Sequence, residues 1–274
     1  MYVLDWGILM YINEKDIKLE IDKNIVKEYS MKSMVYFDIE TTGFDREQDN
    51  IILISIGYYD VKDTFHIKQY FAEDLNEEKY VLENLKGDIE NFNMWCSYNG
   101  KAFDEPFIQS RMKKYNIELT LPREHFDLYR KIRPYQKQLG LERCNLKSVE
   151  QYIGIKREDT IDGGISVELY KKYLRDKDEE LKYTIMLHNY EDVLNLPKIF
   201  KILWKIKKCD FIREDHITDK QLKYLNYLMK KHNVLVDINL DKISKRAASK
   251  AIGAILDGDY DIISIKDIIK NNCV

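Results

Sequence analysis

"MVYFDIETTGF" (Met34–Phe44) decides how this chain is read. Met34 to Phe37 is an apolar run with the look of a buried strand, and it leads into two acids one residue apart, Asp38 and Glu40. Acids are poor strand formers, and residues two apart on a strand share a face. Two carboxylates on one poorly solvated face repel, so that one keeps a proton or both bind a cation. Hard oxygen donors suit Mg²⁺ or Mn²⁺. A solvated strand end is the plainer reading of a lone D-x-E, so the question is what else in the chain reaches this point.

Around this stretch lies a strand-rich block. "NIILISIGYYD" and "DTFHIKQYFA" follow it with tight connections, which predicts three antiparallel neighbours. "NEEKYVLENLKGDIENF" has apolar residues at helical spacing, "NMWCSYNG" reads as a strand, "DEPFIQSRMKKYNI" as a helix with Pro near its start, and "REHFDLY" as a short strand. From about residue 142 helices dominate, with Asn145 as a cap. Pro197 is expected to kink or divide the longest of them. Near the C-terminus Thr218 and Gln221 form a capping box at the head of an amphipathic helix. The expectation is an α/β fold: a mixed sheet, three antiparallel strands then parallel ones, flanked by helices. Residues 1–33 are expected as an N-terminal extension packing on a domain over 34–208, with a small helical domain over 213–274 whose basic Lys242, Lys245, Arg246 and Lys250 read either as a nucleic-acid-binding accessory or as part of a packing or partner module.

Composition narrows the partners. The 274 residues carry a net charge of −3, which argues against a strongly basic wrapper of nucleic acid. It leaves room for local clusters such as "RMKKY" and "YRKIRPYQK", which read either as phosphate-tracking patches or as solvated helix faces. The four cysteines, Cys96, Cys144, Cys209 and Cys273, form no C-x-x-C pair, and free thiols fit a reducing cytoplasm. The start, "MYVLDWGILMYINEKD", reads as strand or core material; it is too short to span a bilayer, and no other segment is long and apolar enough.

Two further stretches bear on Asp38 and Glu40. "SYNGKAFDEPF" places Asp104 after a strand and at a helix start, the edge of an α/β sheet where ligands bind; a helix cap is its plainer role. "LHNYEDVLNL" places His188 and Asp192 at i and i+4 on one helix face, either a surface pair or a ligand pair. Taken in order, D-x-E on a strand, Asp after a later strand, and H-x-x-x-D on a late helix resemble the DEDD exonuclease group of the ribonuclease H-like fold. The match is closer to its YprB-type branch. It rests on Tyr98, Asn99, Gly100, Phe103, Asp104 and Pro106, on Leu146 to Glu150, on Gly154 to Asp159 with Asp162 and Gly163, and on His188, Asn189 and Asp192. It covers about residues 34–203.

That resemblance implies a metal-dependent 3′–5′ exonuclease acting on DNA or RNA. Asp38, Glu40, Asp104 and Asp192 would hold two divalent cations, Mg²⁺ or Mn²⁺, and His188 would be the general base. His188 stands four residues before Asp192, the spacing at which other members carry tyrosine. Thr41, Thr42 and Phe44 match the part of the motif that meets the terminal nucleotide, with Asn99 and Phe103 as weaker candidates. The partner would be a single strand or 3′ end in the cytoplasm. Asp127 reads as structural. Two other readings stay open: a non-catalytic nucleic-acid-binding module, and a nuclease that cuts internally.

Overall fold

The computed structural model describes residues 10–161 and 163–272; the first nine residues, Asp162, Cys273 and Val274 lie outside the described residues. The sheet has six strands: β1 (Tyr11–Ile17), β2 (Met34–Thr41), β3 (Ile51–Tyr59), β4 (Phe65–Phe71), β5 (Met94–Ser97) and β6 (Glu124–Asp127). Their order is β1-β4-β3-β2-β5-β6. Pairs β1/β4, β4/β3 and β3/β2 are antiparallel, and β2/β5 and β5/β6 are parallel. The mixed sheet is as expected, with β1 adding a fourth antiparallel strand at one edge.

The helices are α1 (Lys23–Glu28), α2 (Glu78–Ile89), α3 (Asp104–Lys114), α4 (Leu128–Ile132), α5 (Gln136–Leu139), α6 (Leu146–Tyr152), α7 (Gly163–Asp176), α8 (Glu179–Lys208), α9 (Asp219–Lys231), α10 (Lys245–Leu256) and α11 (Ile262–Asn272). Helices α1, α4 and α5 were not anticipated: at 6, 5 and 4 residues they are too short to show a helical period. In helix α8 Pro197 does not divide the helix. It runs undivided for 30 residues with Pro197 inside it. A proline removes one backbone hydrogen bond; here Val193, Leu196, Ile199, Phe200, Ile202 and Leu203 are all buried around it, and that packing holds the helix together.

The described residues form two compact units, one within 1–129 and 145–204, the other within 130–144 and 205–274. In the first, alternation along the central strands sorts side chains to two faces. Val35, Phe37, Ile39, Ile54 and Ile56 join α2 and α3 through Val81, Leu85, Phe107 and Ile108. Leu53 and Phe71 instead meet Tyr170, Tyr173, Ile185 and Met186 of α7 and α8. Gly57 lets α8 come close, since a Cβ there would lie 2.5 Å from Phe65 and 2.8 Å from Val193. The second unit has its own core, built by Leu225, Leu228, Ala247, Ala251, Ile255, Ile265 and Ile269. The capping box of Thr218 and Gln221 opens α9 as expected. Among the described residues no helix is long and apolar enough to cross a membrane, and Cys96, Cys144 and Cys209 are free thiols.

Candidate active site: a buried cluster of carboxylates

Phe37 and Ile39 point to the α2–α3 face, so Asp38 and Glu40 point to the α7–α8 face. Strand β5 pairs with β2 only as far as Tyr36. Beyond that the sheet opens, and the amide of Ile39 has no strand to donate to. It donates to Oδ1 of Asp104 at 3.2 Å. The first residue of α3 thus sits directly against the D-x-E stretch, and a β-bulge between Glu40 and Thr41 re-aims the strand end. A buried chain from Ser97 on β5 through His125 on β6 to Glu105 fixes this corner, with Ser97 Oγ 2.7 Å from His125 Nε2. It has the residue types of a hydrolytic triad, but Ser97 is only 1 % exposed and cannot meet a substrate.

From the other side α8 brings His188, Asn189 and Asp192. Asn189 donates to Asp38 Oδ2 at 2.7 Å and accepts from the Ser55 hydroxyl. Gln69 donates to Ser55 at 2.9 Å and Asn13 to Gln69 at 3.0 Å, so a buried polar relay crosses β1, β4 and β3 to hold Asp38. His188 Nε2 lies 3.6 Å from Glu40 Oε1 and 3.7 Å from Asp192 Oδ2. Glu40, His188 and Asp192 offer ligand atoms all within 4.8 Å of one another. The structure therefore brings together all five residues expected in the centre: Asp38, Glu40, Asp104, His188 and Asp192.

Their electrostatics are those of a site short of positive charge. Burial, then the charges of Asp192, Asp104 and Glu40, push the Asp38 carboxyl well above its usual range, against the Asn189 hydrogen bond. Burial and then Asp192 do the same to Glu40, with the Ser166 hydroxyl acting in the other direction. Asp104 is pushed up to about 7, chiefly by burial, although two backbone amides oppose the rise. Hard oxygen donors that resist ionisation until a cation arrives suit a divalent metal, so the residues present fit such an ion.

Two residues that carried no role in the sequence reading complete the surroundings. Asp159 accepts from His188 Nδ1 at 2.7 Å. Burial raises the Asp159 pKa, but the His188 bond, the Ile161 amide and the charges of His188 and Arg157 lower it further, so it stays ionised. An ionised carboxylate only accepts, so Nδ1 of His188 carries a proton, while Nε2 faces Glu40 and Asp192. Arg157, 6 % exposed, contacts Asp192 Oδ1, reaches Glu150 at 3.2 Å and Asp159 at 3.1 Å, and donates to the His188 carbonyl at 2.9 Å. One guanidinium thus orders both ends of the H-x-x-x-D turn and commits one oxygen of Asp192, leaving the other for the centre. The "KRED" run held this signal: a cation and an acid bracketed by charge in a loop lacking helical period.

The outer candidates are placed as follows. The Thr41 hydroxyl donates to the Gly43 carbonyl at 2.6 Å, and that of Thr42 donates to Asp49 at 3.2 Å and accepts from Asn50 at 2.9 Å. Both hydroxyls are used to close the turn after the bulge. Phe44 is 83 % exposed, its ring edge-on to Phe103 at 6.0 Å. Asn99 has φ +67°, and its amide donates to Asp127 at 2.9 Å, so buried Asp127 ties down the loop before α3. Tyr190 lies under Lys15, 4.5 Å from the ring centroid. The "RMKKY" cluster loses its leading member as a phosphate contact. Arg111 is fully buried, bonded at 2.8 and 2.7 Å to Glu78, which also receives the Ile51 amide at 2.8 Å.

The profile of the RNase_H superfamily matches residues 35–204, the whole span of the carboxylate cluster. The chain belongs to this superfamily. Among curated relatives it is 28% identical over 178 residues to the uncharacterized protein YprB of Bacillus subtilis (strain 168), covering 64% of this chain and 42% of that protein. It is 26% identical over 123 residues to a DNA polymerase of Methanocaldococcus jannaschii (strain ATCC 43067), covering 42% of this chain and 7% of the polymerase. The chain thus spans less than half the length of these curated relatives. Among solved structures, NrnC of Brucella melitensis aligns with a TM-score of 0.41 and 16% identity over 68% of this chain and 78% of that one. NrnC has also been determined with bound Mg²⁺, with the same values, and bound to pGG, with a TM-score of 0.33 and 17% identity.

Proposed function

We propose that this chain is a metal-dependent nuclease that hydrolyses phosphodiester bonds of DNA or RNA from the 3′ end. The observation that carries the reading is the convergence of Asp38, Glu40, Asp104 and Asp192 on one buried point, three of them held above their usual range by burial and by each other. A binding module has no use for such a cluster, because it repels phosphate. Two divalent cations, Mg²⁺ or Mn²⁺, would be held by these four carboxylates, and when bound they supply water activation and charge neutralisation at the phosphate.

The chain's own residues then divide the work. His188 takes the proton of the attacking water at Nε2, the ring nitrogen that faces Glu40 and Asp192. Asp159 and Arg157 hold the His188 ring and the angle of Asp192. Phe44 and Phe103 offer an exposed aromatic edge on which a terminal base stacks. Thr41 and Thr42 shape the turn that presents Phe44, and Asn99 fixes the facing loop. This chemistry belongs in the cytoplasm, where free thiols persist.

End-labelled single strands incubated with Mg²⁺ or Mn²⁺ test the reading. Stepwise shortening from the 3′ end is expected, lost in Asp38→Ala and in His188→Ala. Activity that survives Asp38→Ala, or no shortening with either metal, would sink it. Cleavage of circular strands would replace the exonuclease by an internally cutting enzyme.

A further inference from the structure

Helix α9, in the second unit, turns two aromatic rings to solvent. Tyr224 is 44 % exposed and Tyr227 57 %, and their rings lie within 15° of parallel with centroids 6.4 Å apart. Lys220, Lys223, Tyr224, Tyr227 and Lys231 follow one another at helical spacing along the exposed side, opposite buried Leu225, Leu228 and Met229. The helix has four lysines, with Asp219 its only acid. None of those lysines is in an ion pair among the described residues.

Part of this face works against the helix itself. Lys230 and Lys231 sit in the last turn and complement the helix dipole, so they need no other reason. Lys220 is in the first turn, where a positive charge opposes the dipole. Two exposed tyrosine rings leave apolar surface in water that lysine or glutamate would not. Cations flanking two exposed, near-parallel rings are what bases and phosphates together require.

We propose that this face of α9 binds single-stranded nucleic acid, Tyr224 and Tyr227 stacking on bases while Lys220, Lys223 and Lys231 meet phosphates. Duplex DNA hides its base faces, and an acidic peptide has none, so the tyrosine pair selects the single strand. The inference does not rest on the carboxylate cluster, and it is tested in EDTA, where no divalent ion loads that cluster.

The full chain is titrated into a short labelled DNA strand of mixed sequence, followed by fluorescence anisotropy. The double variant Tyr224→Ala, Tyr227→Ala is expected to bind about tenfold more weakly or worse, and Tyr224→Phe, Tyr227→Phe to keep the affinity. Lys220→Gln with Lys223→Gln should flatten the dependence of log K on log salt by roughly 0.7 for each phosphate no longer neutralised. Circular dichroism confirms that each variant is folded. Unchanged affinity in the double alanine variant, a blunt duplex bound as tightly as the single strand, or no binding by the unmodified chain overturns the proposal. Displacement of the strand by an acidic peptide with equal affinity overturns it as well.

Discussion

Replacing Asp104 by Asn removes a charge that the metal-free fold accommodates poorly. The Asp104 carboxyl is 5 % exposed and is held at about 7 instead of 3.8, first by burial. A carboxyl raised in this way favours the folded state below about pH 4, and that contribution is lost as pH rises through 7. A rise from 3.8 to about 7 corresponds to about 4 kcal/mol at full ionisation, an upper limit because neighbouring carboxylates share the proton. Asn keeps an oxygen for the Ile39 amide, so the substitution removes charge more than structure. In EDTA at pH 8, Asp104→Asn should be more stable than the parent by about 2–4 kcal/mol; the gap should narrow to less than half by about pH 5 and close only below about pH 4. With Mn²⁺ at a hundred times its Kd the parent gains about 2.7 kcal/mol, and the order narrows or reverses. Tryptophan fluorescence during urea unfolding reads this out, since Trp95 is fully buried in the core of the sheet unit. A variant no more stable than the parent at pH 8 in EDTA would refute the claim that the cluster is electrostatically frustrated without metal.

Other outcomes follow from the same structure. Arg157→Met leaves Glu150, Asp159 and Asp192 without their shared cation and should cost about 3–5 kcal/mol in unfolding experiments. Asp159→Ala frees the His188 ring; kcat should fall roughly 10–100-fold with little change in KM, and Asp159→Asn, which still accepts from Nδ1, should recover part of it. Gly57→Ala puts a methyl 2.5 Å from Phe65 and should lower stability by about 1–3 kcal/mol, seen as a reduced Tm.

The segment Met34–Thr41 shows what was legible in the sequence. Apolar residues lead into two acids, and period two alone puts those acids on one face. The Asn145 cap, the Thr218–Gln221 box and the amphipathic α9 are likewise local, because each is an interaction between residues a few positions apart. The i, i+4 pair of His188 and Asp192 is also local, and it lies inside one helix as expected.

Everything that makes these residues a site depends on tertiary structure. Asp38 and Asn189 are separated by 151 positions, and Ile39 and Asp104 by 65; no periodicity links such pairs. Arg157 and Asp159 lie in a stretch without strand or helix, so their pattern carries no face, and only the approach of that loop to α8 shows what they hold. Arg111 looked like one more surface cation and is instead paired to Glu78 in the core. By itself, the sequence determined which side chains share a strand face or a helix turn, because such order is local. Tertiary structure decided which faces meet, because burial and pairing are set by partners far away in the chain.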